Sequence, residues 1–185
     1  MRKITLVFGA LLALFMISCD GEDGFDGQDG LNGEDGIQGQ VFEVENVGFD
    51  YIDDVNLHSS IITFSDFTSF ETLAQDAVLV YRFDGTVPFG DGSNADAWSL
   101  IPQSFFLPEG TIQYTASHTL LDVEILIDGN FDLINLDPEF TQNQIFRIVI
   151  IPSDFAQSKV DTSNIGTVMS SLNIGEDDVQ QVNLN

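Results

Sequence analysis

Ile145-Phe146-Arg147-Ile148-Val149-Ile150-Ile151 is the stretch on which the reading of the fold turns. Alternate residues of a strand share a face, so Phe146, Ile148 and Ile150 oppose Ile145, Val149 and Ile151, and Arg147 is the one interruption. A strand that is apolar on both faces needs cover on both, which predicts a central place in its sheet. Leu121-Asp122-Val123-Glu124-Ile125-Leu126-Ile127 reads differently. Leu121, Val123, Ile125 and Ile127 share one side, with Asp122, Glu124 and Leu126 on the other, as in a sheet with one packed and one largely wet face.

Working outward, the same alternation predicts strands at 41–47, 60–64, 77–83 and 111–117, with 98–101 strand-like. Turn residues punctuate them at Asp84-Gly85, Gly90-Asp91-Gly92, Pro108-Glu109-Gly110 and Asp128-Gly129-Asn130. Short strands without intervening amphipathic helices predict an all-β domain over residues 41–185, a mainly antiparallel β-sandwich. Helices are expected at Phe70–Ala77 and Asp161–Leu172. In the second, Asp161, Thr162 or Ser163 is the expected cap, Ile165, Val168, Met169 and Leu172 form the apolar stripe, and Gly175 ends the turn. This helix is expected to cover an edge or open end of the sandwich. The polar tail 176–185 carries Val179, Val182 and Leu184, enough for a short strand.

Length and charge narrow the function classes. The chain has 185 residues, 43% of them apolar, which suits one ordinary domain and excludes a large multidomain enzyme. Thirty acidic side chains stand against 5 basic ones, for a formal charge of -25. Nucleic acid is excluded as a partner because Arg82, Arg147 and Lys159 are scattered singly through this acidic background. The same field disfavours anionic lipid surfaces, so membrane attachment must be covalent or hydrophobic. The single cysteine can form neither an internal disulfide nor a multi-cysteine metal site.

That cysteine has a telling position. Arg2 and Lys3 precede an apolar run from Ile4 to Ile17, which ends at Ser18-Cys19. The run is shorter than the ~20 residues that span a bilayer, and its basic residues come first, as in a secretory signal. Met16-Ile17-Ser18-Cys19 resembles the lipobox of bacterial lipoproteins, with Met16 where leucine is more usual. The resemblance implies a signal peptide at 1–18, a lipid on the thiol of Cys19, and cleavage that leaves Cys19 as the first residue. Several acyl chains, at ~0.8 kcal/mol per buried methylene, would anchor even this anionic chain. The acidic residues just after Cys19 are candidates for a sorting signal.

From Cys19 the chain runs in triplets that end at Gly21, Gly24, Gly27, Gly30, Gly33, Gly36 and Gly39. Period-three glycine is the spacing of collagen, where only glycine fits the crowded axis of three chains. Residues 19–40 resemble the short collagen-like regions of bacterial surface proteins. No triplet contains proline, and Asp20, Glu22, Asp23, Asp26, Asp29, Glu34 and Asp35 meet no positive charge. Three such chains side by side would repel, so a single extended tether is expected, with a homotrimer as the alternative. At ~3.1 Å per residue its reach is roughly 65 Å.

Phe25, Leu31 and Ile37 recur every six residues, but this is too short a tract for a β-helix. The Asp-Gly pairs match neither the EF-hand nor the nonapeptide calcium pattern, so only weak, delocalised calcium binding is expected there and no dedicated cofactor.

Catalytic patterns are sparse. Gly90-Asp91-Gly92-Ser93-Asn94-Ala95 matches a dinucleotide loop formally, but Pro88 precedes it, a strand follows it, and Asp91 and Asp96 repel phosphate. An acidic surface loop is expected, with Asp91, Ser93 and Asp96 as a weak candidate for calcium. His58 and His118 are read as surface or hydrogen-bonded residues rather than a shared metal site or triad. With 30 acids, no carboxylate pair is informative for glycoside hydrolysis. Trp98, Tyr51, Tyr81 and Tyr114 could build a sugar-stacking platform but lie among apolar residues, as core aromatics do.

The expectation is a non-enzymatic, lipid-anchored protein of the bacterial cell envelope, in the outer membrane with its head at the cell surface, in a structural or adhesive role. The arrangement resembles collagen-like lipoproteins of Gram-negative envelopes, which implies the location and transfers no catalytic residue. The rival is a ligand-binding module that takes an extracellular glycan or protein, with calcium-assisted carbohydrate capture through residues 89–98.

Overall fold

A computed structural model describes residues 39–69, 72–153 and 160–184. The described chain forms β1 (Gln40–Val47), β2 (Asp50–Ile52), β3 (Leu57–Thr63), β4 (Ala77–Pro88), β5 (Asn94–Leu100), β6 (Gln103–Phe106), β7 (Thr111–His118), β8 (Asp122–Gly129), α1 (Pro138–Thr141), β9 (Gln144–Ile151), α2 (Ile165–Ser171) and β10 (Gln180–Asn183). The strands build two five-stranded sheets, ordered β10-β1-β9-β4-β5 and β2-β3-β8-β7-β6. Neighbours are antiparallel except β1 and β10, which run parallel with Phe42 opposite Gln180. The protein is an all-β sandwich, and the two stretches that decide its reading are the middle strands of its two sheets.

Alternation explains the packing. Phe42, Val44, Val80, Phe146, Ile148 and Ile150 face inward from the first sheet, and they meet Ile62, Ile112, Tyr114, Val123, Ile125 and Ile127 from the second in one core. The two ends of the sandwich close differently. Where β1 begins, Phe67 packs edge-on against Phe42 and Phe64, at 5.0 and 6.3 Å between ring centres. At the far end, the rings of Phe49, Phe105, Tyr114, Phe140 and Phe146 interlock at 5.5–6.3 Å.

The outward side of β9 is apolar too, and α2 covers it. Val168 and Met169 of α2, with Val179, bury Val41, Tyr81, Val149 and Ile151. The helix therefore lies on an outer sheet face and not at an edge or open end. Its stripe is the expected one, but its cap is Asn164, whose Oδ1 accepts from Thr167 N at 3.0 Å. Asp161 instead accepts from the amide and hydroxyl of Ser163, which closes a turn and delays the helix. Asn173, at φ 57°, follows the last turn in place of Gly175.

Other expectations are corrected locally. Residues 72–76 form no helix: Asp76 closes a turn by accepting from Leu73 N at 2.9 Å, and Ala77 already starts β4. Asp84-Gly85 is no hairpin turn. It is a bulge inside β4, where the register slips between Phe83 and Gly85 and Gly85 adopts φ 117°. Asp128 and Gly129 end β8 instead of starting a turn. Leu121 lies outside β8 and is 70% exposed, because Thr119 folds back to Asp122 ahead of the strand. The tail strand forms as β10. Strands β2 and β6 and the one-turn α1 have no counterpart in the sequence reading.

Candidate functional site

Cys19, the residue singled out for lipid attachment, and the glycine triplets up to Gly36 lie outside the described residues. On the outer face of the first sheet, strongly interacting side chains converge beside a cleft. Arg147 leaves the centre of β9 on the outer face of its sheet and is almost fully buried. Its Nε donates to Glu43 on the neighbouring β1 at 2.7 Å, and Nη1 and Nη2 donate to the two carboxylate oxygens of Glu176 at 3.0 and 2.7 Å. Trp98 on β5 lies against the guanidinium, 4.3 Å from its carbon to the ring centre. Burial pulls the guanidinium pKa down, but hydrogen bonds and charge from Glu176 and Glu43 outweigh it and hold the pKa raised.

This cluster opens onto a cleft of about 580 Å³, lined also by Asp96, Ser163 and Asn164. Its chemistry is that of a staple. Each terminal nitrogen of Arg147 already faces a carboxylate oxygen and one ring face of Trp98 lies against the guanidinium. The arrangement ties the segment after α2 to the sheet and leaves little donor capacity for an anion.

Of the sequence candidates only Trp98 and Asp96 line this cleft. Gly90 to Gly92 form the turn of the β4–β5 hairpin, closed by Phe89 N to Ser93 O at 2.8 Å, while Asn94 and Ala95 are already in a strand. A phosphate loop would open a helix at that point. Residues 89–98 are thus a short turn followed by β5, not one continuous loop. The Asp91 carboxylate accepts from Ser93 N and Oγ at 2.9 and 2.6 Å, which lowers its pKa, and Asp96 accepts from Thr86 at 2.9 Å. Among the described residues no three His, Cys, Asp or Glu side chains are placed to hold a metal ion.

The four aromatics are dispersed. Tyr81 and Tyr114 are fully buried, Tyr81 on the covered outer face with its hydroxyl donating to Thr162 O at 2.6 Å, and Tyr114 in the central core donating to Phe140 O at 2.5 Å. Burial raises both phenols to about 12, helped by Asp161 at Tyr81 and opposed by Arg82 at Tyr114. Tyr51 belongs to the second sheet, so no sugar platform forms with Trp98.

The histidines stand apart as well. His58 pairs with Ile127 and His118 with Val123 on opposite sides of β8, roughly 13 Å apart along that strand. His58 is the hydrogen-bonded kind of histidine, buried with its Nε2 2.9 Å from Leu133 O. Beside it, Asn56 joins the β2–β3 hairpin to the chain after β8. Its Nδ2 donates to Phe131 O and its Oδ1 accepts from Leu133 N, both at 2.8 Å, and its backbone is left-handed at φ 52°. Asp53-Asp54-Val55-Asn56 has the composition of a turn, but nothing local reveals partners 75 and 77 residues away.

Comparison with known proteins adds no relative: no family model, no curated protein and no solved structure matches the chain. No helix among the described residues is long and apolar enough to cross a membrane.

Proposed function

We propose that this chain is a non-enzymatic, lipid-anchored protein of a Gram-negative cell envelope, in which Cys19 carries the lipid, residues 19–40 form the acidic tether and the β-sandwich is the displayed head. The observation that carries it is the order Arg2-Lys3, apolar 4–17, Ser18, Cys19, then seven glycine triplets that lead directly into β1. A head joined through β1 suits a tether, since β1 is paired on both sides, by β9 and β10, and is not an edge strand that could peel away. The proposed setting is the outer membrane with the head outside, in a structural or adhesive role. The rival reading, calcium-assisted carbohydrate capture at residues 89–98, has less support, because Asp91 and Asp96 are engaged within their own hairpin and the aromatic residues are dispersed.

Cys19→Ser decides the anchor. The expected result is release of the protein from membranes in detergent-free fractionation, and a mass for the native protein that includes acyl chains on residue 19. Membrane retention of the variant, or an unmodified thiol in native material, would overturn the reading. Protease shaving of intact cells tests display, with degradation of the head expected outside and protection refuting surface exposure.

A further inference from the structure

The end of the sandwich opposite the start of β1 carries a cleft of about 590 Å³ between the β6–β7 turn and the chain that leads into and through α1. Its apolar lining comes from Leu107, Phe131, Leu136 and Phe140, of which Leu136 and Phe140 are also core residues. Its carboxylates are Glu109, Asp132, Asp137 and Glu139, all on exposed residues, and none takes part in an ion pair among the described residues. Asp132 and Asp137 each accept one backbone amide, from Ile134 and Glu139 at 3.0 Å, which fixes their side chains. Ile134 stands 53% exposed in the same loop, and Asn56 holds the β2–β3 hairpin tip, with Val55 59% exposed, against that loop. Asp132 and Asp53 also face Tyr51, where burial first and these two charges next raise the phenol's pKa.

Among the described residues no cation balances this end. The only lysine or arginine side chains among the described residues are Arg82 and Arg147. Arg82 points into the sandwich, bonded to Gln144 and Asp84 and lying over Phe105 and Tyr114, while Arg147 is on the outer face of the first sheet. The cleft is therefore an apolar trough with uncompensated negative charge on its rim. Apolar lining favours burial of side chains, and the rim selects their charge.

We infer that this cleft is a docking site for a basic, partly apolar polypeptide segment, one that places aliphatic or aromatic side chains on Phe131, Leu136 and Phe140 and Lys or Arg side chains on the four carboxylates. An acidic peptide or a second copy of this chain would meet like charge there. The site deepens the proposed function by giving the displayed head a class of partner, and it rests on that reading for display alone. Its chemistry is independent of the anchor.

The test uses the full chain in a non-ionic detergent, so that a failure at Cys19 and a failure at the cleft are separate results. The probe is a fluorescent dodecapeptide of alternating Lys and Phe, read by anisotropy beside a Lys/Ser peptide of equal charge and a Glu/Phe peptide. The expected result is saturable binding of the Lys/Phe peptide that weakens with added salt, about tenfold weaker binding in the double variant Asp132→Asn/Glu139→Gln, and little change in Asp66→Asn/Asp177→Asn, which removes the same charge elsewhere. The proposal is overturned if the two double variants weaken binding equally, if the Lys/Ser or Glu/Phe peptide binds as well as the Lys/Phe peptide, or if the Lys/Phe peptide does not bind.

Discussion

Arg147→Met separates two meanings of the staple on the outer face of the first sheet. The guanidinium faces carboxylates of opposite accessibility: the Glu43 side chain is 14% exposed and that of Glu176 is 71% exposed. Removing the arginine lets Glu176 return to water at little cost but leaves the Glu43 charge desolvated and without its cation. Breaking a buried pair in this way costs about 3–5 kcal/mol, whereas an exposed pair is worth about 0–1 kcal/mol. The expected ranking is a loss of about 3 kcal/mol or more for Arg147→Met and under about 1 kcal/mol for Glu176→Gln. For a domain of this size the first loss lowers Tm by on the order of 10 °C.

The decisive variant is the double one, Glu43→Leu with Arg147→Met. Replacing a buried pair by apolar side chains of similar volume is often neutral or stabilising, so the double variant should recover to within about 1 kcal/mol of the parent. Urea unfolding followed by far-ultraviolet circular dichroism is the assay. Fluorescence is the wrong reporter, because Trp98 is the sole tryptophan and lies against the residue being changed. Equal small losses for Arg147→Met and Glu176→Gln, or a double variant as weak as Arg147→Met, would refute the claim that desolvation of Glu43 sets the magnitude.

Two further outcomes follow from the same geometry. Tyr81 and Tyr114 titrate at about 12 in the fold against 10.0 when free, so the unfolded chain loses these protons first. Stability is full below pH 10 and falls between about 10 and 12, by on the order of 2 kcal/mol for each phenol, and Tyr81→Phe should flatten part of that slope in urea titrations at pH 9 and 11.5. Asn56→Ala loses two 2.8 Å bonds to the chain after β8 and places alanine at φ 52°, an expected loss of about 2–3 kcal/mol; a variant as stable as the parent would show that the hairpin tip is not held there.

Legibility in the sequence followed the range of the interaction. Residues 145–151 and 121–127 carry their periodicity in consecutive side chains, and both became middle strands. Strands β2 and β6 have three and four residues, Asp-Tyr-Ile and Gln-Ser-Phe-Phe, too few for a period to show. Asp84-Gly85 has the composition of a turn, and a bulge asks for the same glycine, so the dipeptide alone could not distinguish them. The stripe of α2 was visible, but its docking surface was not. Val41, Tyr81 and Val149 sit on three strands and become one patch only through pairing. Glu43 and Arg147 are separated by 104 residues, and no local rule connects them.

Charge ties these features together. A chain with a formal charge of -25 must hold carboxylates apart on folding, and it has few cations with which to do so. Both described arginines are drawn inward, one to each side of the first sheet, where low polarity makes each interaction with a carboxylate or ring stronger than it would be in water. Among the described residues the charged groups left on the outer surface are consequently almost all carboxylates. That surface also protects the sheets, whose edge strands β2, β6 and β10 have only three or four residues, while the longer β5 carries Asp96. Copies of the head approaching edge to edge would meet short ladders and like charge, both of which oppose strand addition. Self-association of the head is disfavoured by the same feature that attracts a basic partner, so a trimer, if the chain forms one, would have to be driven by the glycine triplets and not by the sandwich.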